Sequence, residues 1–178
     1  TMKGLDMFRR YFSAYQDQYV LIGGAACDIL FEQAKAPFRA TKDVDMVLVV
    51  ESLTPEFGRQ FWRFIQDGGY EHRAKSNGSP QFYRFDKPKT TGFPYMIELF
   101  SRIPGVLHGE LEGPCTPMPL GEEISSLSAI LLDEDYYDLL LRGRVEVGHL
   151  MVLSPPFLIF FKAKAFLELR ARRAEGAH

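Results

Sequence analysis

The chain has 178 residues, a formal net charge of −2, 46% hydrophobic and 25% charged residues. This is the composition of a globular protein of one-domain length; it excludes a disordered chain and carries no overall basic footprint for nucleic acid. No apolar run approaches the roughly 20 residues that span a bilayer, and the opening TMKGLDMFRRYF lacks the apolar core and small-residue site of a secretory signal. Cys27 and Cys115 are far apart and unpatterned, which fits a reduced, cytoplasmic protein without a zinc site.

In chain order, FRRYFSAYQ places Phe8, Tyr11, Phe12 and Tyr15 at helical spacing. YVLIGG (19–24) is a short apolar strand running into two glycines, and 25–34 reads as a helix ended by Pro37. In ATKDVDMVLVVES (40–52), Val44, Met46, Leu48 and Val50 alternate with Asp43, Asp45, Val47 and Val49, a strand apolar on both faces. A helix follows with Thr54 as cap, Pro55 at its first position and Gly68 or Gly69 at its end. SNGSP is a turn, while QFYRFD and GFPYMIELFSR are strands. Residues 103–121 form an irregular connection rich in proline and glycine, and 124–133 is a strand or a short helix. EDYYDLLLRG is helical, RVEVGHLMVLSP is a hairpin about Gly148, and the longest helix starts at Ser154 and Pro155. There is no internal repeat. The order predicts an α+β (mixed α/β) protein, helices packed on one small mixed sheet, as a single domain with a core over about 8–120 and a C-terminal hairpin and helix over about 124–178.

Chemistry concentrates at few places. Gly23-Gly24, between strand and helix, is either a tight turn or a place where backbone N–H groups approach an anion. Asp43 and Asp45 point to the same side of one strand and repel each other unless a proton or cation intervenes. They suit Mg²⁺, or else one of them pairs with Arg39 or Lys42. Glu98, inside an apolar strand, needs an arginine or lysine partner, a metal, or an edge position. Lys162 and Lys164 lie in a helix apolar nearly all round; Lys164 has Glu168 four residues on, whereas Lys162 has no such partner and either snorkels or meets a buried phosphate. Arg170, Arg172 and Arg173 form a solvated basic face, with RNA contact as the other reading. His72, His108, His149 and His178 have no ligand spacing.

Strand–Gly-Gly–helix, then Asp-x-Asp on the next strand, then a carboxylate on a later strand, resembles the nucleotidyltransferase superfamily with the polymerase-β-like fold. LIGGAACDIL and FRATKDVDMVLVV look most like the AbiEii-type toxin nucleotidyltransferases of bacteria, in which an Arg-x-Thr-x-Asp-x-Asp run (Arg39, Thr41, Asp43, Asp45) follows the Gly-Gly helix and a late helix carries Lys-x-x-Ala (Lys162, Ala165). The resemblance implies transfer of a nucleoside monophosphate from an NTP to a hydroxyl of RNA or protein, with a possible antitoxin as partner. Asp43, Asp45 and Glu98 would be catalytic and hold Mg²⁺ or Mn²⁺; Gly23, Gly24, Arg39, Thr41 and Lys162 would bind the nucleotide. In that group a further acidic residue usually follows the lysine helix, and this sequence reaches His178 first, which is expected either of a truncated chain or of one without that tail. The other reading is a nucleotide-binding or interaction domain that keeps the fold without catalysis.

Overall fold

The computed structural model describes residues 2–39, 41–72, 82–101 and 134–174. The turn at 76–80, the connection at 103–121 and the undecided segment at 124–133 lie outside them, as do Cys115, His108 and His178.

The protein is α+β. Among the described residues, five α-helices, α1 (Leu5–Phe12), α2 (Gly23–Gln33), α3 (Pro55–Gly68), α4 (Glu134–Gly143) and α5 (Pro155–Ala174), accompany seven strands: β1 (Tyr19–Ile22), β2 (Asp43–Leu48), β3 (Glu71–His72), β4 (Phe82–Asp86), β5 (Met96–Phe100), β6 (Arg144–Val147) and β7 (Leu150–Leu153). They form one mixed sheet in the order β3-β4-β5-β2-β1-β7-β6. β2 runs parallel to β5 and β1 parallel to β7; the other neighbours are antiparallel.

Alternation within the strands fixes what each face meets. Val44, Met46 and Leu48 share a face with Tyr19, Leu21, Phe85, Ile97 and Leu99, all of them buried. The aromatic rings of α1 and α3 cover this face: Phe8 and Phe12 lie 5.9 and 6.2 Å from the Tyr19 ring, and Phe61 lies 5.5 Å from Phe85. Edge-to-face and tilted ring pairs of this kind add to the burial that anchors the sheet. The opposite face carries Asp43, Asp45, Glu98 and Arg84. It is therefore the polar end of β2 and β5, not their apolar side, that remains open to a ligand.

The helix ends follow local chemistry. Thr54 caps α3 by accepting a hydrogen bond from the Phe57 amide at 3.3 Å, Pro55 occupies the first turn, and Gly69, at φ 62, closes the helix in the left-handed conformation. α2 departs from the sequence expectation at both ends. It takes in both glycines, beginning directly after Ile22, and stops at Gln33, where Lys35 at φ 52 turns the chain before Pro37 is reached. β2 is shorter than the 40–52 run: a 3-10 turn at Val50–Ser52 ends it. The two-residue β3 has no sequence signature, being too short to show alternation. The β6–β7 hairpin turns through Gly148 (φ 55) and His149 (φ 63), the paired left-handed residues of a tight hairpin.

Candidate functional site

Register brings the acids together. Asp45 lies opposite Glu98 across the parallel β2–β5 pair, and Glu98 lies opposite Arg84 across β5–β4. Neighbouring strands are about 4.8 Å apart, so the three side chains form a row on one face. Arg84 answers the question posed by Glu98: its Nε and Nη2 both donate to Glu98 Oε1, at 2.8 and 2.5 Å. The Glu98 carboxyl lies directly beside the Asp45 carboxyl across the β2–β5 pair. Burial, then the neighbouring Glu98, then the charge of Asp43, push the Asp45 carboxyl up to about 8, with Arg84 acting in the opposite direction. Asp43 is raised as well, by burial first and by Glu98 second, with Arg84 and Lys42 opposing.

On the other side, Ile22 pairs with Asp45 in the β1–β2 register, so the residue after it meets the carboxylate. Gly23 has φ +63, and a Cβ there would lie 2.1 Å from Asp45 Oδ2. A Cβ on Gly24 would lie 2.7 Å from Thr41 Oγ1. Both glycines are thus needed for the close approach of the α2 start to the strand-borne oxygens. No side chain caps α2, so its first-turn N–H groups lack intrahelical partners and suit an anion.

These pieces enclose one cavity of about 310 Å³, lined by Gly23, Gly24, Arg39, Thr41, Asp43, Asp45, Glu98 and Phe100. Every site residue expected from sequence lines it except Lys162. The Lys162 ammonium instead lies on the flank of α2, donating to Cys27 Sγ at 3.9 Å, and its side chain is exposed. Lys164 sits 5.8 Å over the Tyr136 ring; the side chain of Glu168, its expected partner, lies outside the described residues. Arg84 is the residue that sequence reasoning missed. Its signal was present, a charge inside the alternating QFYRFD strand, but the register that sets it against Glu98 was not.

The donors facing the cavity are hard carboxylate and hydroxyl oxygens, the ligand type of Mg²⁺ and Mn²⁺ rather than of zinc. Among the described residues no three His, Cys, Asp or Glu side chains converge as a complete ligand group. Asp43 and Asp45 are the pair that fits a hard cation, since Mg²⁺ is commonly held by one or two carboxylates with phosphate and water completing its shell. Glu98 is committed to Arg84 in this arrangement.

Among the described residues no helix is long and apolar enough to cross a membrane. Comparison with models of protein families, with curated proteins and with solved structures finds no match to this chain.

Proposed function

We propose that the protein is a metal-dependent nucleotidyltransferase that moves a nucleoside monophosphate from an NTP to a hydroxyl acceptor, on the polymerase-β-like fold that its strand–Gly-Gly–helix and Asp-x-Asp resemble. One observation carries the reading: the cavity that gathers Asp43, Asp45 and Glu98 is also the one onto which Gly23, Gly24, Arg39 and Thr41 open. Paired carboxylates without an adjacent anion cradle would support a structural ion cluster equally well.

In this reading Asp43 and Asp45 hold Mg²⁺ or Mn²⁺, in place of the proton that Asp45 otherwise retains. The bound cation supplies charge neutralisation at the phosphates and a lowered pKa for the attacking hydroxyl. The N–H groups of Gly23 and Gly24, the Thr41 hydroxyl and the Arg39 guanidinium bind the triphosphate and fix its orientation. The acceptor oxygen forms a bond to the α-phosphorus, the bond from the α-phosphorus to the bridging oxygen breaks, and pyrophosphate leaves. The acceptor's proton passes to the Glu98 carboxylate, which Arg84 holds in place. Lys162 has no part in this site.

A second reading is favoured by one feature, the engagement of Glu98 by Arg84: a domain that binds nucleotide and metal without transfer. Calorimetric titration of each NTP, with Mg²⁺ and with EDTA, tests the binding common to both readings. Metal-dependent heat that disappears in Asp43→Asn is expected; no NTP binding under either condition would remove both.

A further inference from the structure

Beside the carboxylate cavity lies a larger one, about 620 Å³, and Thr41 lines both. Its charge is one-sided: Lys3, Lys42, Lys87 and Lys89 line it and no acidic residue does, in a chain whose net charge is −2. The lysines come from three separate stretches of chain, so no basic run in the sequence marks them.

Each is brought there by a specific contact. Lys3 arrives because Gly4, at φ +90, lies so close to Phe93 and Pro94 that a Cβ would be 2.2 Å from the Pro94 nitrogen. Lys42 precedes the first residue of β2, and its carbonyl accepts from the Tyr95 amide at 3.1 Å. Lys87, at φ 53, donates its amide to the Tyr95 carbonyl at 3.2 Å. Thr90 ties the loop to the end of α3, donating its amide to Gly68 O at 3.1 Å and its hydroxyl to Asp67 O at 2.7 Å. The Lys89 stem packs across Gly69. Lys87 pairs with Glu71 at 3.5 Å, whereas no acidic group among the described residues lies within ion-pair distance of Lys3, Lys42 or Lys89. Like charges lining one cavity repel, and a polyanion bound there relieves that repulsion. The Tyr95 ring stands among them, 52% exposed, available for stacking.

We infer that this cavity is a second anion site, which holds the phosphates of an elongated ligand whose reacting end lies at the carboxylates. The inference rests on the proposed function for what happens at that end, and on charge and shape alone for the binding. Two sources supply such phosphates: a single-stranded nucleic-acid acceptor, or the polyphosphate tail of the nucleotide. Lysines tracking a backbone beside an exposed aromatic ring are the pattern of the first.

The test is fluorescence anisotropy of a labelled single-stranded oligoribonucleotide, with unlabelled tripolyphosphate as competitor, in low-salt buffer containing EDTA. Metal binding and turnover then play no part, so binding would survive in Asp43→Asn even if the transferase reading failed. Lys42→Gln/Lys89→Gln is expected to weaken oligonucleotide binding about tenfold and to reduce the slope of log K against log salt by about 1.4, two phosphate contacts on a single strand. Lys42→Gln alone should give half that change in slope, and Lys35→Gln, outside the cavity, none. Tyr95→Ala weakening the oligonucleotide by about fivefold or more, but not tripolyphosphate, identifies a nucleic-acid strand as the ligand. A silent Tyr95→Ala with lysine-dependent tripolyphosphate binding identifies the nucleotide tail, and the anion site stands. Unchanged binding of both ligands by the double variant, or binding of neither by the unmodified protein, overturns the inference.

Discussion

Asp45→Asn should stabilise the metal-free protein, and by an amount that grows with pH. In the folded chain the Asp45 carboxyl is raised from 3.8 to about 8 by burial and by the neighbouring Glu98 and Asp43. A group whose folded pKa lies above its unfolded value contributes stability that is fully present below the unfolded pKa and is lost as pH rises through the folded one. From pH 3.8 to pH 7 the fold must retain a proton that the unfolded chain has released, at about 1.4 kcal/mol per pH unit, or about 4 kcal/mol at neutral pH as a ceiling. Solvent relaxation around the partly open site reduces this ceiling, which places the expected effect at about 2–4 kcal/mol. Asparagine keeps the shape, offers an N–H on the side facing Glu98, and never ionises. Urea denaturation of both proteins in EDTA, from pH 4 to 8, measures the difference directly. The two curves should meet near pH 4 and separate steadily above it, with the variant the more stable. A constant gap, or a variant less stable than the parent at pH 7, would refute the view that repulsion and burial set the state of Asp45.

Arg84→Met should do the opposite, leaving Glu98 without its counter-charge beside Asp45 and destabilising the apo protein by about 1–3 kcal/mol at pH 7 in the same denaturation assay. Gly23→Ala should lose about 1–3 kcal/mol from its left-handed φ alone and displace the Asp45 carboxylate, so calorimetry should find the metal response weakened too. Thr54→Ala removes the α3 cap and should lower stability by about 1 kcal/mol while leaving NTP binding intact. Lys162→Ala should alter NTP binding by less than about twofold, as its ammonium is directed to Cys27 and a lost exposed contact is worth under about 0.5 kcal/mol.

What was legible in the sequence follows from how local each signal is. The α3 boundaries lie in Thr54, Pro55 and Gly69 themselves, and the β6–β7 turn in Gly148 and its neighbours. The same-side placement of Asp43 and Asp45 follows from a period of two residues. Glu98 reaches them because the alternation of β5 was readable and the parallel register happens to set it opposite Asp45. The pairing of Glu98 with Arg84 depends instead on which strands are neighbours, a long-range fact with no trace at either residue. The placement of Lys162 outside the cavity was not legible for a related reason: α5 is apolar nearly all round, so its sequence does not say which face packs. The fold leaves Ile159, Phe160, Phe166 and Leu167 about 60% exposed and sets Lys162 against the flank of α2. The lysine-lined cavity was invisible because Lys3, Lys42, Lys87 and Lys89 share no local pattern.

The most direct measurement is transfer itself. The protein is incubated with each α-³²P-labelled NTP, Mg²⁺ or Mn²⁺, and total cellular RNA and protein, alongside Asp43→Asn and a reaction containing EDTA. Label covalently attached to an acceptor, dependent on the metal and absent with Asp43→Asn, is the expected result. Metal-dependent NTP binding with no label transferred to any acceptor would contradict the assignment of catalysis and leave a nucleotide-binding domain in its place.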